Sequence, residues 1–207
     1  ANGPRTKTAP SHSPCAFKAQ NCVSILKRGK MIDMKTPKEV EEMKPAAHLV
    51  AKTLKELRES VKPGTNLLEI DEYVHKVVKD TKNCSSPYVD YAPDFGTGPF
   101  GHYICTSVND AVLHGVPYDY NLEKGDLLSL DLALSVNGWV GDSALSFLVG
   151  GEGSKEDKKV IKATEDALAA AIAEAKVGNH LGDISAAAGR VAHERGYEVN
   201  TVFGGHG

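Results

Sequence analysis

Two aspartates, Asp131 and Asp142, lie in the stretch SLDLALSVNGWVGDSALSF, residues 129–147. Between them Asn137-Gly138 is a strong two-residue hairpin signal, because both central residues of a type I′ turn need positive φ. Leu128, Leu130, Leu132 and Leu134 alternate with Ser129, Asp131, Ala133 and Ser135, as in a strand with one apolar face. With Asn137-Gly138 as the loop, Val136 pairs with Trp139, Ala133 with Asp142 and Asp131 with Ala144. Paired residues share a face, so the two carboxylates point to the same side as diagonal neighbours, with Cβ atoms roughly 7–8 Å apart or somewhat less. Two acids so placed repel unless something cationic sits between them. One reading is a pair of solvated acids on an exposed face. The other is a metal site, since hard cations and zinc both accept carboxylate oxygens and the neighbours Ser129, Ala133 and Ala144 are small.

Two histidines lie in company that also suits chemistry. His114 ends CTSVNDAVLHGVP, residues 105–117, between an apolar leucine and a Gly-x-Pro turn. His206 lies in FGGHG, residues 203–207, where glycines allow close approach of backbone to a ligand. Each also has a plain reading, as a structural histidine and as a glycine-rich turn.

The elements that must position these residues follow from periodicity. Thr36-Pro37-Lys38-Glu39 has capping-box spacing with proline at the first helical position. Val40, Met43, Ala47, Val50, Ala51, Leu54 and Leu57 continue at helical spacing until Pro63-Gly64. A second helix is expected over about 66–81, loop from Asn83 to Gly101, and strands at His102–Val108 and in the hairpin. Ser154, with Asp157 three residues on, caps a third helix whose stripe is Val160, Ile161, Leu168, Ala171 and Ile172 and which Gly178 ends. A shorter helix is expected over about 183–195 and a strand at Tyr197–Phe203. The halves also agree in letters: KPGTNLLEI, residues 62–70, and KVGNHLGDI, residues 176–184, both read K-x-G-x-x-L-x-[E/D]-I. The same helix–helix–strand order on both sides predicts an internal duplication, with repeat one over about 37–150 and repeat two from about 151. A full second repeat would need roughly 55 residues past Gly207, so the expectation is of a chain cut inside its second sheet.

Composition bounds the class. Hydrophobic residues make 41% and charged residues 25% of 207, with a net charge of −3, which speaks against a nucleic-acid-binding surface. No run of about 18 apolar residues exists to span a membrane. Cys15, Cys22, Cys84 and Cys105 are irregularly spaced, which favours a reducing compartment over a disulfide frame. Residues 1–30 carry Lys and Arg but no acid. They read as a disordered basic leader, a transit peptide or an appended tail ahead of a domain at 31–207.

Taken together, C-T-S-V-N-D-x-V-x-H-G-V-P, then G-D-L-L-S-L-D-L, a further aspartate and G-G-H-G resemble the type I methionine aminopeptidases, from about Met31 to the end. The resemblance implies the pita-bread fold, an α/β (α+β) architecture of duplicated helix–helix–antiparallel-sheet units with the second unit incomplete here. It implies removal of an N-terminal methionine by metal-activated water, with a small second residue preferred. It assigns Asp131, Asp142 and His206 as ligands of two divalent metal ions (Co, Mn, Fe or Zn) and His114 as the catalytic, substrate-contacting histidine. Cys105 and Phe100 fall where the family lines its methionine pocket, and Asn109 falls near a monovalent-cation site. Two glutamates and another histidine are expected downstream of Gly207. The implied substrate is the N-terminal Met of nascent polypeptides, met in the cytoplasm and at the ribosome by a monomer that binds neither DNA nor membrane. A proline-directed aminopeptidase or dipeptidase of the same fold, and a catalytically dead binding module, are the alternatives.

Overall fold

A computed structural model describes residues 34–92 and 98–205. The chain divides between a leading segment, Ala1–Lys35, and a body, Thr36–Gly207. Of the first, only Met34 and Lys35 are described, both exposed and without regular structure. The expected leader at 1–30 lies outside the described residues.

The body opens with two helices whose starts are written in their caps. Thr36 Oγ1 accepts from Glu39 N at 3.2 Å and Glu39 Oε2 accepts from Thr36 N at 2.7 Å, which starts α1, Pro37–Ser60. Asn66 and Glu69 form the same box at α2, Leu67–Asp80. Val50, Leu54 and Leu57 of α1 are buried as the periodicity requires, joined by Ala46 and Thr53, whereas Val40, Ala47 and Ala51 of the expected stripe are exposed. Leu67, Ile70 and Val74 carry the buried face of α2.

These faces close on a four-stranded antiparallel sheet. β1 is Cys84–Ser85, β2 Cys105–Val108, β3 Leu127–Val136 and β4 Trp139–Leu148. β3 is central: β1 and β2 pair with it at opposite ends along one edge, and β4 covers the other edge for its whole length. Asn137 and Gly138 have φ of 53° and 85°, the positive pair that the two-residue turn demands. Leu128, Leu130, Leu132 and Leu134 are all fully buried against α1 and α2. Each such side chain contributes about 1.5–3 kcal/mol by leaving water. On the same face α1 crosses β4 at Gly141, the partner of Leu134, where a Cβ would stand 2.6 Å from Ala47 N. Only glycine lets helix and strand approach so closely.

The second helical pair is α3, Lys155–Glu174, and α4, Leu181–Glu194. Ser154 and Asp157 cap α3 as expected, through Ser154 Oγ and Asp157 Oδ2, each accepting at 3.0 Å. The duplication is geometrical as well as textual. Leu67 to Leu181 and Asp80 to Glu194 are both steps of 114 residues, as is Ser60 to Glu174.

Three expectations need correction. The stretch 83–101 is not all loop, since Cys84–Ser85 pairs with Val136 and Ser135; two residues are too few to leave a period in the sequence. The strand expected from His102 begins only at Cys105. Asp71 of α2 accepts from Tyr103 N at 2.7 Å and meets His102 Nδ1 at 2.8 Å, which takes these residues out of the ladder. Tyr197–Phe203 is not a strand. Tyr197 N donates to Ala192 O at 2.9 Å, closing the end of α4, and its hydroxyl donates to Glu156 at 2.7 Å.

Gly141→Ala should therefore lower stability by about 1–3 kcal/mol in urea unfolding. Gly189→Ala, in an open position inside α4, should raise it by about 0.5–1 kcal/mol. Equal effects of the two would show that α1 and β4 are not in backbone contact.

Candidate metal centre

The face of the sheet opposite the leucines is small and polar. Ser129, Asp131, Ala133 and Ser135 of β3 point to it, beside Asp142, Ala144 and Ser146 of β4 and Cys105 and Ser107 of β2, by the period of two. Asp131 pairs with Ala144 and Ala133 with Asp142, so the carboxylates are diagonal neighbours on one face, as the hairpin loop alone required. Cys105 is the partner of Asp131 on the other edge. Asp131 is half-buried and Asp142 exposed. The serines further along the face satisfy each other, with Ser129 Oγ and Ser146 Oγ 2.6 Å apart.

Tyr88 reaches this face from the loop after β1. Its hydroxyl donates to Asp131 Oδ1 at 3.1 Å, and its ring meets Phe100 edge-on with centroids 6.0 Å apart. Phe100 in turn packs edge-on to His102 at 5.8 Å. Nothing in the sequence picks out Tyr88, because its contact with Asp131 joins residues 43 apart. The electrostatics register two carboxylates in one place. Burial, with Asp131 and Asp142 adding to it, pushes the Cys105 thiol up to about 12. Burial and then the same two charges hold the Tyr88 phenol well above its ordinary value.

Two further expected residues, His114 and Asn109, lie in and beside the turn that follows β2. His114 is exposed, in the left-handed region at φ 55°, its ring edge-on to Phe203 at 5.2 Å. Its successor Gly115 lies flat on β2: Thr106 N donates to Gly115 O at 2.7 Å, and a Cβ there would meet Thr106 O at 2.3 Å. The histidine is thus held by a backbone contact that only glycine permits. Asn109, at φ 54°, closes the far end of β2. Its Oδ1 accepts from Leu127 N at 3.0 Å, and its Nδ2 donates to the buried Asp126 at 2.9 Å. His206 lies outside the described residues. Among the described residues no three His, Cys, Asp or Glu side chains gather into a metal-holding group. What Asp131 and Asp142 supply is a pair of hard oxygen ligands on one face with small neighbours, a donor set that fits a divalent cation.

Comparison with known proteins identifies the family of the chain. The profile described as Metallopeptidase family M24 matches residues 41–207. The chain belongs to that family. It is 35% identical over 177 residues to a methionine aminopeptidase of Helicobacter pylori strain J99, covering 85% of this chain and 66% of the relative. It is also 35% identical to methionine aminopeptidase 1 of Bacillus subtilis, with 86% and 68% covered. The crystal structure of methionine aminopeptidase from Rickettsia prowazekii superposes with a TM-score of 0.74 at 30% identity, over 81% of this chain and 64% of that one. The prolidase of Pyrococcus furiosus, at 20% identity and a TM-score of 0.64, shares the fold. The architecture is the pita-bread fold of M24, and the chain spans about two thirds of the length of the curated relatives it matches.

The Cys105 thiol gives a test of the carboxylate pair. Its folded pKa lies above its ordinary value of 9.0, so its contribution to stability is whole below pH 9 and is lost as pH rises through about 12. In metal-free protein at pH 8, iodoacetamide should alkylate Cys105 at least a hundredfold more slowly than in the unfolded chain. An Asp131→Asn, Asp142→Asn double variant should react several-fold faster than wild type. An unchanged rate would place the carboxylates away from the thiol.

Proposed function

We propose that this M24 chain contributes to a metal-dependent aminopeptidase that removes the N-terminal methionine from peptides and nascent proteins. The observation that carries the reading is the Asp131–Asp142 diagonal, set on the polar face of a sheet whose other face is buried leucine. The similarity to methionine aminopeptidases at 35% identity supports the same reaction. In this reading Asp131, Asp142 and His206 hold two divalent ions, of which Co, Mn, Fe and Zn all suit carboxylate and imidazole ligands. Bound there, the metal pair supplies Lewis acidity and brings the pKa of a water toward neutrality.

The remaining work falls to side chains. His114 donates a ring N–H to the substrate beside the scissile peptide and steadies the charge that develops on the carbonyl oxygen. Cys105, held as a neutral thiol, and Phe100 line an apolar pocket suited to an unbranched thioether. A small second residue is preferred. Asn109, whose left-handed backbone closes β2, is assigned to a monovalent-cation site. The repeats are assigned to about 37–150 and from about 151. No helix among the described residues is long and apolar enough to cross a membrane. We assign a cytoplasmic monomer that meets its substrates at the ribosome.

A protein that carries this chain together with the glutamates and histidine expected downstream of Gly207 should release methionine from a Met-Ala-Ser peptide and no leucine from Leu-Ala-Ser. Chelation should abolish release and Mn²⁺ should restore it. Asp131→Asn should lower the rate on the order of a hundredfold or more. Chelator-resistant release, or equal release from both peptides, would overturn the proposal, and activity confined to peptides with proline second would favour a proline-directed enzyme of this fold.

A further inference from the structure

Tyr88 has no part in the function proposed above, yet it touches the centre of the polar face. It is half-buried and brings three things together: the carboxylate of Asp131 through its hydroxyl at 3.1 Å, the ring of Phe100 through its own ring at 6.0 Å, and the body of the fold through its backbone. The segment that carries it is held at both ends. Upstream, β1 pairs with Val136 and Ser135 of β3, and Tyr88 N donates to Ser86 Oγ at 3.2 Å. Downstream, Tyr91 N donates to Tyr88 O at 3.0 Å, Gly101 N to Val89 O at 3.0 Å and Phe100 N to Tyr91 O at 2.8 Å. A phenol on such an anchored turn has little freedom to leave its acceptor.

We propose that Tyr88 is a positioning residue for the metal centre: its hydroxyl fixes the plane of the Asp131 carboxylate and so presets that ligand for a divalent cation. The inference rests on the metal-binding reading of Asp131 and Asp142. The chemistry of the donor supports it. A lysine or arginine in this place would orient the carboxylate but neutralise it and compete with the metal. A phenol orients it through one hydrogen bond and brings no positive charge to compete with the cation. Hydrogen bonds from outside the coordination shell typically change metal affinity by about ten- to a hundredfold when removed, because an unoriented ligand must be ordered on binding.

Mn²⁺ binding to the purified protein, followed by calorimetry and by the Mn²⁺ electron paramagnetic resonance spectrum, tests this with Tyr88→Phe, which keeps the ring on Phe100 and deletes only the hydroxyl. Tyr73→Phe is the control, since its hydroxyl donates to Glu56 at 2.8 Å between α1 and α2. The expected result is a ten- to hundredfold weaker Mn²⁺ affinity and an altered spectrum for Tyr88→Phe alone, with similar metal-free melting temperatures for the two variants. Unchanged affinity in Tyr88→Phe, with wild type binding Mn²⁺, overturns the role of Tyr88 and leaves the metal centre standing. Wild type that binds no Mn²⁺ overturns both. Should Tyr88→Phe not fold, 3-fluorotyrosine at position 88 takes its place. Its fluorine resonance should shift on addition of Zn²⁺, and a resonance indifferent to Zn²⁺ overturns the proposal.

Discussion

The pairing of β3 with β4 in one register is the constraint from which both the core and the candidate centre follow. Side chains alternate strictly along each strand, so a slip of one residue would exchange the faces. Leu128, Leu130, Leu132 and Leu134 would then face the polar side, and Asp131 would enter the core. An unpaired buried carboxylate costs several kcal/mol, so the apolar side enforces the polar side. The turn adds a second lock. Asn137 N donates to Asn83 O at 3.0 Å, and Asn83 Nδ2 donates to Asn137 Oδ1 at 2.8 Å, which ties the hairpin tip to the residue before β1. The short β1 therefore has a purpose out of proportion to its length. It fixes the hairpin from one side and carries the turn with Tyr88 on the other.

Around that hairpin, two carboxylates accept hydrogen bonds from neutral donors. The buried Asp126 accepts from Asn109 Nδ2 at 2.9 Å, Tyr120 hydroxyl at 3.0 Å and Glu123 N at 2.8 Å. Asp131 receives a phenol. Hydrogen-bond donors of this kind orient a carboxylate without adding an opposite charge. At Asp126 the result is a rigid junction between the start of β3 and the end of β2, with the left-handed Asn109 at its corner. At Asp131 the same device lies beside a second carboxylate, and burial, with the two charges adding to it, raises the neighbouring thiol.

How much of this was legible depended on the range of the interaction that fixes each feature. Caps are local, and Thr36, Ser154 and the stops at Pro63-Gly64 and Gly178 placed helix boundaries within a few residues. The hairpin is local too, and once Asn137-Gly138 set its register the shared face of Asp131 and Asp142 was a matter of counting. Features made by distant contacts left no trace. The Tyr88 hydrogen bond, the pull of Asp71 on His102 and Tyr103, and the Asn83–Asn137 lock each join residues more than 30 apart. Tyr197–Phe203 failed for a different reason. Its composition suits a strand, but a strand needs a ladder partner, and Tyr197 was already committed to closing α4.

The two helical pairs show the same limit within a single chain. Leu54 and Leu168 occupy equivalent places in the repeat, as do Leu67 and Leu181, each pair separated by 114 residues. The first members are 3% and 0% exposed, the second 59% and 65%. Residue type, helix and position in the repeat are alike, so none of them decides burial. What differs is the surface beneath: the core built on the leucines of β3 takes in α1 and α2 and no residue of α3 or α4. Burying a leucine is worth about 1.5–3 kcal/mol, but only where another element supplies the apolar surface to receive it. A helical period therefore states which face of α3 is apolar and is silent on what covers it.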